Sequence, residues 1–511
     1  MAARQVRLGN YIAYGANDFL GAGAMSIIGL WVAFFYTTYC GLTVAQAGLI
    51  VVAARLLDAF FSPLIGYISD HFHHTRLGRR FGRRRFFILL AIPLLPSFAL
   101  MWVDNQGFWY YLITYCFFEL VYAMEIIPYE TLAAEMSPNY ATKAKFAGAR
   151  IICGQVANIA ALWLPAFIVD QLGGKDSPAT FLYLGVTFSV FFVFVAIAVY
   201  LFTWERPRHE IAGADTPPEK SPFSNLEQLF EDLRATLRIR AFRLHLGMYL
   251  GGYVSQDVLN VVFPYFIAFA LAGSVTTTAN ISAAMAIAQL FSVFLAIWAC
   301  LRFQPAPTYR VALMMFGLGV AGLLALYFAG VTDIAWYCAV VVVAGFGRGA
   351  LNYIPWSVYN YMPDVDEIVT GRRREGAFAG VMTFIRKVMQ SAAIFFATQI
   401  LNLAGLIPKT MNQPASVVMT VVAIVALGPL LILLFGFFVS LRFHLDSATH
   451  GVLMEEIERF RKGDGSEPPA ANRAIVEDLT GWPYEQLWGR GGAGQTASSK
   501  PFTAARDTPT S

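Results

Sequence analysis

The chain has 511 residues, of which 57% are hydrophobic, 15% aromatic and only 14% charged, with a formal net charge of +4. Soluble domains carry closer to a quarter charged residues, so this composition excludes an ordinary soluble enzyme or binding module and points to the membrane. The small positive excess collects in short connections between apolar stretches and gives no sign of a nucleic-acid partner.

About twenty mainly apolar residues are needed to cross a bilayer as a helix. Read in chain order, that rule predicts about twelve spans, at 10–38, 44–69, 86–104, 108–134, 146–170, 178–203, 241–271, 277–302, 310–330, 333–362, 376–406 and 414–442. The fold class expected is therefore an all-α membrane protein. The 70–85 connection holds Arg76, Arg79, Arg80, Arg83, Arg84 and Arg85; Arg302 and Arg310 flank 303–309, and 363–375 holds Arg372, Arg373 and Arg374. The alternate connections contain no Lys or Arg except Lys175 and Lys409. The positive-inside rule then places both termini in the cytoplasm, which requires an even number of spans. Met1 to Asn10 is short and basic, and the first span is too long for the apolar core of a cleavable signal.

Four regions are expected: a six-helix bundle over 1–203, a cytoplasmic linker over 204–240, a second six-helix bundle over 241–445, and a cytoplasmic tail over 446–511. The linker starts Pro-rich and continues as an amphipathic helix carrying Leu226, Leu229, Phe230, Leu233 and Leu237. The tail reads as a short charged helix from Met454 to Lys462 followed by a Gly-, Pro-, Ser- and Thr-rich stretch expected to be disordered. Cys40, Cys116, Cys153, Cys300 and Cys338 are scattered in apolar context, without metal-ligand spacing. There is no paired His–carboxylate motif, nucleophile elbow or phosphate-binding glycine loop, so no enzyme and no cofactor is expected. The stretch from Gly345 to Ala350 is read as a glycine-rich helix face for close packing.

A charge at mid-membrane costs at least about 2.5–3.5 kcal/mol, so ionisable residues inside spans should face a protein interior or a water-filled cavity. Asn17 and Asp18 lie in the first span. Arg55 and Asp58 lie in the second, three apart and on one helical face. The fourth holds Glu119, Glu125 and Glu130, and the fifth Arg150, Gln155 and Asn158. Gln256 and Asp257 fall in the seventh, Arg348, Asn352 and Trp356 in the tenth, and Thr383, Arg386, Lys387 and Gln390 in the eleventh. Carboxylates accept bonds from adjacent hydroxyls, Arg donates bidentately and Trp offers a flat apolar face, a combination suited to a polyhydroxylated ligand. Asp58 reads either as a fixed ion-pair partner of Arg55 or as a titrating group.

Four blocks carry a family resemblance: GANDF at 15–19; ARLLDAFFSPLIGYISDH at 54–71 followed by GRRFGRRRFF at 78–87; IPYETLAAEMSPNYATKAKFAGARI at 127–151; and IPWSVYNYMPDVDEIVTGRRREGAFAGVMTFIRKV at 354–388. On these residues the chain resembles the glycoside–pentoside–hexuronide:cation symporters, a branch of the major facilitator superfamily, over roughly 8–445. The resemblance implies a major facilitator fold with two six-helix bundles and alternating access. It also implies sugar recognition by Asp18, Arg150, Trp356, Thr383 and Lys387, a cation-site acid at Asp58, and an inner gate formed by Asp364 with Arg373 and Arg374.

Two departures from the family pattern shape the expectation. Ser62 replaces the second cation-site acid, Phe61 its polar neighbour and Ala123 a hydroxyl contributor, which favours a proton over sodium as coupling ion. Ile126 stands where the fourth-helix sugar acid is expected, and Glu130 replaces its aromatic neighbour. The reading is a monomeric bacterial inner-membrane importer of a sugar or glycoside, with Asp58 beside Arg55 as coupling group and Glu125, Glu130 and Asp257 as reserve proton sites. The alternatives are sodium-coupled sugar symport, transport of a lysolipid or other amphipathic substrate, and, remotely, a non-transporting membrane sensor.

Overall fold

The computed structural model of the chain describes residues 6–136, 140–172, 177–205, 234–371, 375–462 and 468–489. Among these residues all regular structure is helical. Ten helical stretches are long and apolar enough to cross a membrane. They include α1 (Leu8–Thr38) and α2 (Val44–His71), joined on the Arg-rich side to a short α3 (Arg76–Phe81). Where the third span is expected, two short helices follow, α4 (Arg85–Ala91) and α5 (Ser97–Leu100), which fall outside those ten stretches. Pro93 and Pro96 lack the amide hydrogens an unbroken α-helix requires, so three-residue turns such as Ser97 N–H to Leu94 O link the two pieces.

The first half continues with α6 (Phe108–Met136), α7 (Tyr140–Gln171) and α8 (Pro178–Phe202). The second half comprises α9 (Arg240–Ala270), α10 (Val275–Phe303), α11 (Pro305–Phe328), α12 (Ile334–Tyr359), a short α13 (Met362–Thr370), α14 (Glu375–Leu403) and α15 (Ala415–Leu441). The chain therefore starts, links its halves and leaves the second half on one face, called here the terminal face.

Local sequence explains the irregularities. Thr43 caps α2 through a reciprocal pair of bonds with Gln46, closing a tight entry from the preceding loop. Alpha-helical winding in α1 is interrupted by π-turns at Phe19–Gly23 and Ile28–Val32, the first directly after Asp18. Such insertions re-aim neighbouring side chains and recur at functional positions. The glycine face of α12 does pack closely: a Cβ on Gly345 would lie 2.4 Å from the Met285 carbonyl oxygen of α10, and one on Gly349 2.5 Å from that of Gln289.

The halves meet where α2 packs on α14 and α7 on α10. On the face opposite the termini they are tied together. Thr37 and Tyr265 hydroxyls lie 2.8 Å apart, the Lys409 N–H donates to the Thr37 carbonyl at 3.2 Å, and the Lys409 ammonium donates to Asn105 at 3.1 Å. The space between the halves is thus closed on that side.

On the terminal face, part of the arginine run serves local structure. Arg83 and Arg84 pair with Glu135, and the backbone N–H groups of Arg83, Arg84 and Arg85 converge on the Glu205 carboxylate. Part of the tail expected to be disordered is helical; residues 463–467 and 490–511 lie outside the described residues. Its helix begins at Ser447 rather than Met454, as α16 (Ser447–Lys462), and a second helix, α17 (Ala470–Thr480), follows. Both dock on the second half through His450–Asp364 (2.9 Å), Arg461–Glu367 (2.9 Å) and Arg240–Asp478 pairs. Trp488 stacks on Phe460 while its backbone N–H donates to the Ile368 carbonyl of α13. The apolar residues Leu453, Ile457, Val476, Leu479 and Leu487, hidden in a charged stretch, supply the buried face that composition alone masks. Most of the linker, 206–233, and the expected helix up to Leu233 lie outside the described residues.

Candidate functional site

The intramembrane polar groups gather between the halves in a series of paired charges. Asp18, at the π-turn of α1, accepts from Arg150 Nε of α7 at 3.0 Å, and Arg150 Nη2 reaches Glu130 of α6 at 2.7 Å. Glu130, expected only as a reserve proton site, belongs to this cluster. The fork of the guanidinium bridges two carboxylates, a geometry that Lys cannot reproduce. Two glycines make room for Asp18: a Cβ on Gly154 would lie 2.6 Å from Asp18 Oδ2, and one on Gly21 2.8 Å from Oδ1. Gly154→Ala is therefore expected to displace this carboxylate and weaken ligand binding about tenfold, or about 1.4 kcal/mol, with little change in melting temperature. Calorimetric titration of the purified variant checks this. One turn below, buried Glu125 accepts from Asn17 Nδ2 at 3.1 Å.

Arg55 and Asp58 do not pair with each other, contrary to one of the two expectations for Asp58. The longer Arg55 side chain reaches across to Glu119 of α6 at 3.3 Å, whereas the short Asp58 faces the other half. There, Lys387 Nζ of α14 lies 2.7 Å from Asp58 Oδ2 and donates to Ser62 Oγ at 3.0 Å; Ser62 in turn donates to Asp58 Oδ1 at 2.9 Å. Lys387, expected at the sugar, and Asp58, expected at the cation, thus form one bridge between the halves. The Lys387 ammonium supplies the counter-charge of Asp58.

In the second half, Asp257 of α9 is held by Arg386 at 2.6 Å and by Gln390 at 3.1 Å, so it is already charge-balanced in this arrangement. Arg386 also lies over the Tyr253 ring at 5.0 Å. The Tyr253 hydroxyl accepts from Trp356 Nε1 at 3.1 Å and fixes the indole, and Trp356 as a whole remains 40% exposed. Thr383 is exposed on α14. Asp364 sits on α13 and contacts the tail through His450. Arg373 and Arg374, its expected gate partners, lie outside the described residues.

Glu119 and Arg386 are partners that the site assignment missed. Their signal was present: each is an ionisable residue inside a span and requires an opposite charge. Asp18, Arg150 and Glu130 come together on the first half, and Trp356 with Tyr253 on the second. Asp58 and Lys387 join the halves where α2 packs on α14.

The comparisons agree with this architecture. The profile of the family described as MFS/sugar transport protein matches residues 13–447. The "Uncharacterized symporter sll1374" of Synechocystis is 24% identical, with 90% of this chain and 98% of that protein covered. The "Glucuronide carrier protein homolog" of Escherichia coli is 21% identical, with 92% and 98% covered. Among solved structures, a point mutant of the nucleoside transporter NupG superimposes with a TM-score of 0.59 at 16% identity, covering 85% of this chain and 99% of that one, a likeness of fold alone. The chain belongs to the MFS/sugar transport protein family, and is a multi-pass membrane transporter of the major facilitator fold rather than an enzyme.

Proposed function

We propose that the protein is a proton-coupled symporter that imports a sugar or glycoside by alternating access. Asp18, Arg150, Trp356 and Thr383 bind the substrate, and the Asp58–Lys387 bridge couples it to the proton. The observation that carries this reading is the bridge itself, which links α2 of one half to α14 of the other within a network of otherwise paired charges. Protonation of Asp58 removes its charge and releases the Lys387 ammonium, which is then free to donate to substrate hydroxyls. Loss of the proton restores the pair and returns the empty carrier. Ser62 and Lys387 around Asp58 suit a proton better than sodium, which calls for several hard oxygen ligands. With the arginine-rich terminal face in the cytoplasm, the closed side faces outward and the structure corresponds to an inward-directed state. Glu125, whose only bond here comes from a neutral amide, is the reserve proton site this arrangement favours over Glu130 and Asp257.

Uptake into proteoliposomes, scanned over mono- and disaccharides under separately imposed proton and sodium gradients, tests the proposal. Accumulation driven by the proton gradient is expected. No flux for any sugar class would overturn the substrate assignment, and accumulation driven by sodium alone would overturn the coupling ion.

A further inference from the structure

Deep inside the spans, Arg55, Arg150, Arg386 and Lys387 each lie within ion-pair distance of a carboxylate. Arg348, near the middle of α12, has no carboxylate within that distance among the described residues. Its Nε donates to the Gln256 side-chain oxygen at 3.0 Å and Nη1 lies 3.7 Å from the Met285 sulfur, so both partners are neutral. Asp257, the acid next to Gln256, is already held by Arg386 at 2.6 Å. A guanidinium at this depth is costly without a counter-charge, and the rest of its fork still has protons to donate.

Spare donors converge on one small cavity beside Arg348. About 40 Å³ in volume, it is lined from the first half by Ser26 and Asn158 and from the second by Asn260, Ser282, Gln289 and Arg348, and no carboxylate borders it. Two of its acceptors are engaged: Asn158 Oδ1 lies 2.6 Å from the Ser26 hydroxyl, and Gln289 Oε1 lies 3.4 Å from Asn158 Nδ2. The Ser282 hydroxyl, 1% exposed, makes no hydrogen bond, although a serine within a helix can donate to the carbonyl one turn back. A buried hydroxyl left unpaired costs about 1–3 kcal/mol, so it too points to a ligand. The lining thus offers one full positive charge, a spare hydroxyl and side-chain amides, which together suit a small anion. At roughly 10–15 Å³ per water, the space takes a few waters or one ion little larger than a water, and it excludes a sugar ring.

We infer that this cavity binds a small monovalent inorganic anion of the halide class, chloride, with Arg348 as its counter-charge and Ser282 as a neutral donor. A single guanidinium balances a single charge; sulfate or phosphate would bring more volume and a second charge with nothing to offset it. Because the lining comes from both halves, the bound ion ties them together in the arrangement described above, and parting the halves there dismantles the site. The site stands apart from the Asp18–Arg150 cluster, since Asn158 lies about 12 Å along α7 from Arg150. The inference is therefore independent of which solute the protein carries.

Thermal melting of the purified full-length protein in nanodiscs tests this, with sodium chloride titrated against sodium gluconate at constant ionic strength. Gluconate is too large for the cavity. A saturable rise of about 2 °C or more is expected with chloride and with bromide, and none with gluconate. Arg348→Gln should abolish this dependence and, in gluconate, melt at or above the wild type, because no charge is left stranded. Ser282→Ala keeps the charge and removes one donor, so it should raise the half-saturating chloride concentration about threefold to tenfold. Crystals grown in bromide should show an anomalous scattering peak beside the Arg348 guanidinium. No halide dependence in the wild type, an equal rise in Arg348→Gln, or bromide crystals without that peak would each overturn the inference. If Arg348→Gln does not fold, Ser282→Ala decides, and an unchanged half-saturation point overturns the assignment. None of these readouts involves a sugar, so their failure leaves the transport reading untouched.

Discussion

Asp58→Asn is expected to abolish accumulation while leaving passive equilibration of sugar across the membrane. With one proton carried per sugar, an imposed difference of one pH unit supports up to about tenfold accumulation, since one pH unit corresponds to about 1.36 kcal/mol. The variant cannot exchange a proton at residue 58, so its ratio should settle near one. Substitution also leaves the Lys387 ammonium without the carboxylate that lies 2.7 Å away. Breaking a buried pair on one side costs about 3–5 kcal/mol, and the partial exposure of the Lys387 side chain lowers that figure here. The double variant Asp58→Asn/Lys387→Gln removes both charges and should recover much of the stability, but none of the accumulation. Proton-driven accumulation that survives in Asp58→Asn would move the coupling site elsewhere, with Glu125 the first candidate.

Much of this arrangement is legible along the chain, because the bilayer makes charge conspicuous. Arg55, Asp58, Glu125 and Asp257 stand out within apolar spans, and each lies inside the molecule in the structure. Partner choice is not legible in the same way. The three-residue spacing of Arg55 and Asp58 puts them on one face, yet side-chain length sends the first to Glu119 and the second to Lys387. Both partners are remote in sequence, and their approach is set by how α2 packs against α6 and α14. The tail was obscured for another reason. Its apolar residues are sparse among charges and small residues, and they become a core only when α16 and α17 fold against each other and against α13.

The docked tail bears on how the halves move. It contacts α9, α13 and the end of α15 in the second half, through Arg240, Asp364, Glu367 and His444. Because α13 connects α12, which carries Trp356 and Arg348, to α14, which carries Lys387, the tail braces the segment joining two helices of the site. On the proposed alternating-access reading, a half braced in this way would move as one body, with the hinge at the interface that Asp58 and Lys387 span.

Arg150→Lys should lower substrate affinity about a hundredfold, a loss of about 2.7 kcal/mol. Arg150 Nε and Nη2 hold Asp18 at 3.0 Å and Glu130 at 2.7 Å together. A single ammonium can neutralise one of them but cannot hold both in a fixed plane. The substrate then meets two carboxylates whose repulsion is only half relieved and whose positions are no longer set, so hydroxyl groups lose both a donor and two oriented acceptors. Calorimetric titration with the transported sugar reads the loss directly, and counterflow in proteoliposomes reads its effect on flux. The double variant Asp18→Asn/Arg150→Gln should melt near the wild type, because no charge is stranded, yet still fail to bind. Arg150→Lys with affinity within threefold of the wild type would show that this cluster supports the fold and that the ligand is held elsewhere.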